Sequence, residues 1–149
     1  MLDPVILGGF PNLSEGNYLE TSPWDPTYNC IAHAAGDQNR WWWPSESFDS
    51  YWPAGVSREE TVDAFVQAYA TLGYSPSRNG LAEPGIEKIA IYAAVSFGKI
   101  TPTHAARQLP NGNWTSKLGT VEDIEHRTVD GVEGPVYGSA VIYLERPRP

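Results

Sequence analysis

The chain predicts an α+β domain, with its helices early and antiparallel strands after them. Three observations carry that expectation. A run of helix formers starts at Cys30, an amphipathic stretch follows Ser57-Arg58-Glu59-Glu60, and Asn111-Gly112 separates two β-like segments.

Residues 1–23 are rich in glycine and proline and read as an irregular arm, with a short strand over 5–7. The segment Cys30-Ile31-Ala32-His33-Ala34-Ala35 then reads as a helix closed by Gly36. Its start has two solutions: Asp25 caps with Pro26 in the first turn, or Asn29 caps directly and Cys30 opens the helix. Arg40-Trp41-Trp42-Trp43-Pro44 and Tyr51-Trp52-Pro53 bracket a Ser/Asp-rich loop. Behind the capping pattern, Val62, Phe65, Val66, Tyr69 and Leu72 recur at helical spacing before Gly73, which predicts a helix over 58–72. Strands are expected over 86–95, 103–109, 113–118 and 137–144, and one helical turn over 120–126. If Asn111-Gly112 forms a two-residue turn, Leu109 faces Trp114 and His104 faces Gly119.

At 149 residues the chain reads as a single domain, 1–149, with 41 % apolar and 19 % charged residues, a globular balance. Its net charge of −8 and lack of a basic run argue against nucleic acid and against an anionic membrane surface. No apolar stretch is long enough to span a bilayer, and the N-terminus lacks a charged leader, so a cytoplasmic location is the default expectation. One cysteine excludes an internal disulfide.

A thiol in the first helical turn meets unpaired N–H groups and the positive end of the helix dipole, which favour the thiolate. Cys30 is therefore a candidate nucleophile and His104, in Thr103-His104-Ala105-Ala106-Arg107-Gln108-Leu109, its candidate base. The bland alternatives are an inert buried thiol and a hydrogen-bonded core histidine. Asn29 caps the helix or donates to an oxyanion. Trp41, Trp42, Trp43 and Trp52 staple their loop to the core or wall a groove. Cys30 with His33, His104 and His126 supplies metal-ligand chemistry, but no pair has a recognised zinc spacing, so neither metal nor other cofactor is expected. His126 reads as a helix-end histidine.

Tyr28-Asn29-Cys30-Ile31-Ala32, Arg40-Trp41-Trp42-Trp43-Pro44, Thr103-His104-Ala105-Ala106-Arg107-Gln108-Leu109 and Trp114-Thr115-Ser116-Lys117-Leu118-Gly119 resemble an uncharacterised family of short bacterial proteins. The resemblance covers nearly the whole chain and brings no activity with it. More loosely, the order of these motifs is similar to papain-like cysteine hydrolases, peptidases and amidases among them. That resemblance implies a papain-like layout, in which an N-terminal cysteine-bearing helix packs on an antiparallel sheet. It also implies a polar residue about a dozen positions after the histidine, where Ser116 falls, whereas an ideal two-residue hairpin puts Thr115 and Lys117 on the face of His104. The expected activity is a thiol hydrolase or acyltransferase acting on a peptide, amide or acylated substrate. The rival expectation is a non-catalytic module whose tryptophan-rich loop grips a peptide, glycan or partner protein.

Overall fold

The structure, a computed structural model, describes residues 2–47 and 49–149; Met1 of the expected arm and Phe48 of the expected loop lie outside the described residues. Among the described residues one antiparallel sheet dominates. Its strands are β1 (Tyr18–Ser22), β2 (Ser75–Ser77), β3 (Ile86–Ser96), β4 (Lys99–Gln108), β5 (Trp114–Lys117), β6 (Asp123–His126) and β7 (Ser139–Pro147), in the spatial order β1-β6-β5-β4-β3-β7-β2. The helices are α1 (Pro4–Leu7), α2 (Cys30–Ala34) and α3 (Val62–Ala70), with a 3-10 turn at Val129–Val132.

This architecture overturns the expected α+β, papain-like layout. Seven strands form the body, and the cysteine-bearing helix is a five-residue element rather than the helix that organises the fold. The physical reason lies in β3, which is buried continuously from Glu87 to Ala93. Its residues alternate between two cores. Ile89 and Ile91 join Cys30, Ile31, Phe65, Tyr69, Ala105 and Leu144 on the helical side. Ala90 and Tyr92 join Leu2, Phe10, Ala106, Trp114, Ile124 and Tyr137 on the other. A sheet covered on both faces needs only short helical covers. Burying Phe65 and Tyr69 completely, at about 1.5–3 kcal/mol per large apolar side chain, holds α3 in place.

Local signals explain the shifted boundaries. Asn29 caps α2, its side-chain oxygen accepting from Ala32 N–H, and Gly36 ends the helical run at φ +83. The helix expected over 58–72 spans only Val62–Ala70, because Thr61, not Ser57, accepts from Ala64 N–H. The segment expected as a strand at 5–7 is α1, capped by Asp3, and a strand forms at β1 instead. The helical turn expected over 120–126 contains β6, which pairs with both β5 and β1.

The β4–β5 hairpin carries the most consequential correction. Gly112 N–H bonds Leu109 O and Leu109 N–H bonds Asn113 O, so the loop holds three residues, with Gly112 at φ +90. Trp114 therefore faces Gln108, not Leu109, and Thr115 faces Arg107. A one-residue shift exchanges the two faces of β5 relative to β4.

Candidate functional site

The shifted register brings Ser116 to His104. Their Nε2 and Oγ atoms lie 3.0 Å apart, and the same hydroxyl lies 2.8 Å from His126 Nε2. His126 Nδ1 donates to the Thr128 carbonyl at 2.7 Å. For neutral rings only one proton arrangement satisfies this chain. Ser116 donates to His126 Nε2, His104 Nε2 donates to Ser116, and His104 Nδ1 is left as a buried acceptor without a hydrogen-bond partner. The rings of His104 and Tyr137 stack at 4.0 Å. Burial holds both imidazoles neutral: the His104 pKa lies well below its ordinary value, and that of His126 falls to about 4.

Cys30 is not part of this chain of bonds. Ala105 turns toward the cysteine helix, so by strand alternation His104 turns to the opposite face, beside Tyr92 and Tyr137. The Cys30 sulfur lies 3.9 Å from the Thr103 carbonyl, and burial pushes its thiol up to about 11, against the backbone N–H groups of Ala105 and Ile31. Helix-start placement thus fails to make an acidic thiol. The notional zinc set is not assembled either, because His33 sits on the helical side and His104 and His126 on the other.

Beneath α2 lies a second buried polar cluster. His33 Nε2 is 2.8 Å from Thr115 Oγ1, and its Nδ1 is 3.6 Å from Asp123 Oδ2, which accepts from the Tyr28 hydroxyl at 2.6 Å. The Lys117 ammonium is 3.5 Å from Asp123 Oδ1, donates to Val121 O, and lies 4.3 Å from the centre of the Tyr28 ring. Desolvation lowers the His33 pKa to about 4 despite Asp123, while burial and the Asp123 contact raise Tyr28 to about 12. The pairing of Lys117 with Asp123 across β5 and β6 was legible only to a reader who made 123–126 a strand.

The aromatic loop is fastened by its own polar atoms. Asn29 Oδ1 accepts from Trp42 N–H as well as Ala32 N–H, and Asn29 Nδ2 donates to Trp42 O at 2.6 Å. Those bonds commit its side chain to joining helix and loop. Trp42 and Trp52 are buried, their indole N–H groups donating to Asp37 and to Ser57 O. Trp41 and Trp43 are half-buried. The Trp43 and Phe65 rings meet nearly at right angles with their centres 5.4 Å apart, and Trp43 lines an open cleft of about 680 Å³. Pro44, Glu46, Glu59, Glu60, Thr61 and Lys99 line the same cleft, and Arg58 braces it by donating to the Ser45 and Ser50 carbonyls. Reading Glu59-Glu60 as the first turn of a helix concealed this role. The clefts beside Trp43, at 76–83, at 82–86 and at Tyr18 contain neither Cys30, His104 nor Ser116.

Among the described residues no helix is long and apolar enough to cross a membrane. No curated protein and no solved structure matches the chain. The sequence profile of a domain of unknown function, DUF7689, matches residues 19–145, most of the chain, and the protein belongs to that uncharacterised family.

Proposed function

We propose that the protein is a binding module whose cleft beside Trp43 takes a peptide with basic side chains. The observation that supports this reading is the placement of an accessible indole among carboxylates, while the residues nominated for chemistry are buried. Three carboxylates, Glu46, Glu59 and Glu60, line the cleft against Arg58 and Lys99, and the Arg58 guanidinium is engaged by backbone carbonyls. A lysine or arginine on a ligand gains from the Trp43 face and from these carboxylates together. The same loop makes such a contact internally, where Arg40 lies 3.5 Å over the Tyr51 ring. Hydrolysis through Cys30 and His104 draws no support from this geometry, because Cys30 on α2 packs on one side of β4 and His104 projects from the other.

Calorimetric titration tests the reading with three short probes: a lysine/arginine peptide, its acidic counterpart and a neutral oligosaccharide. The basic peptide should bind alone, at least about tenfold more weakly to Trp43→Ala, and more weakly again as salt rises from about 50 to about 300 mM. Salt-insensitive binding of the oligosaccharide, or peptide binding indifferent to Trp43→Ala, would overturn it. Peptide cleavage abolished by Cys30→Ala would reinstate the hydrolase.

A further inference from the structure

The β3–β4 hairpin runs past the rest of the sheet. The pairing of β3 with β7 ends at Ala93 and Ser139, whereas its pairing with β4 continues through Ala94–Thr101, Val95–Ile100 and Ser96–Lys99. A two-stranded ribbon therefore projects from the body, with Phe97-Gly98 at its tip. Both tip residues have positive φ, +52 and +73, as a two-residue hairpin turn requires. Asparagine or glycine normally fills the first of these positions; here it holds phenylalanine, the one non-glycine residue with positive φ among those described. The ring is fully exposed at 106 %, and Val95 and Ile100 behind it are 72 % and 55 % exposed. Phe97 thus adds backbone strain and uncovered apolar surface while contributing nothing to either core.

We infer that this ribbon is a docking finger for a basic protein partner, with Phe97 seated in an apolar socket on that partner. Charge selects the occupant. A second copy carries the same net charge of −8, and an anionic bilayer repels it equally. Lys99, two residues beyond Phe97 and paired with Ser96 next to the turn, lines the cleft that also holds Glu46, Glu59 and Glu60, so carboxylates lie near the ribbon's tip. A socket rimmed by lysine or arginine complements both features, steering the approach by charge while the buried ring anchors it. Phe97 itself is not among the residues that line the Trp43 cleft, so Trp43→Ala leaves the ring in place.

The test places a photo-crosslinking phenylalanine analogue at position 97 of the full chain in its native host, with the comparably exposed Val5 as control position. The expected adduct, specific to position 97, is with one protein of net positive charge. Titrated as a purified protein, that partner should bind wild type and Trp43→Ala alike and Phe97→Asn at least about tenfold more weakly. Phe97→Asn should also raise the melting temperature, because asparagine accepts the left-handed conformation. Adducts with a second copy, with lipid, with an acidic protein or with nothing would overturn the inference. So would Phe97-dependent sedimentation with phosphatidylcholine vesicles, unchanged partner affinity in Phe97→Asn, or a lowered melting temperature, which would show that the ring serves the fold.

Discussion

At Cys30 two opposing effects act on one thiol, and burial wins. A helix terminus favours a negative charge by about 0.3–2 kcal/mol, and α2 has only five residues. The rise of the thiol to about 11 corresponds to roughly 3 kcal/mol against the thiolate. Alkylation by iodoacetamide at pH about 8 should therefore run at well under a tenth of the rate of the urea-unfolded chain, and His104→Ala should leave it unchanged. Fast alkylation with a midpoint below about 8.5 would show an activated nucleophile instead. The sequence left two starts open for this helix, an Asp25 cap or an Asn29 cap, and the structure takes the second, with Cys30 as the first helical residue. The direction in which His104 leaves its strand was not legible, since alternation ranks residues within a strand without saying which side the helix covers. Ser116 reached His104 through a spacing carried by a resemblance to a fold this chain does not adopt, and the contact arises here from a three-residue loop.

Among the elements, those with strong periodicity were legible and those decided by a single hydrogen bond were not. Strands β3, β4, β5 and β7 fall where their apolar patterns put them, to within a few residues. The start of α3 was missed because Ser57 and Thr61 both precede acceptable first turns, and tertiary packing of Phe65 and Tyr69 selects the later one. The strand β6 was missed because four residues, Asp123–His126, are too few to show a period. Gly112 sets the register of β5 and hence the neighbours of Ser116, which makes the hairpin loop testable by stability. Gly112→Val puts a β-branched residue at φ +90 and should cost more than about 1 kcal/mol in urea denaturation. Gly138→Ala should cost more still, because a Cβ there would strike the Ala93 carbonyl beside the irregularities in β3 pairing. Unchanged stability in Gly112→Val would mean that position 112 does not hold the left-handed backbone this three-residue loop requires.

Over the whole molecule, the sheet buries ionisable groups on both faces, an arrangement that composition could not reveal. His33 belongs to α2 and sits beside Asp123, with Arg107 and Lys117 nearby, while His104 and His126 share Ser116 on the far side, with Glu125 and Asp130 acting on His126. Desolvation puts all three folded-state values below the ordinary 6.5, to about 4 for His33 and His126. The unfolded chain consequently takes up protons from about pH 6.5 downward while the folded chain does not, so stability is complete above that pH and falls progressively toward pH 4. Carboxylates whose values are lowered, such as Glu125 through its bonds to Asn113 and Asn111, lose their contribution only below their ordinary 4.5. The two windows are separable. The urea midpoint should drop between pH about 6.5 and about 4.5, before carboxylate titration matters, and His126→Gln should flatten part of that drop while lowering stability at neutral pH. A midpoint constant over that interval would show that the histidines charge freely in the folded protein, and the neutral His104–Ser116–His126 chain would then be wrong.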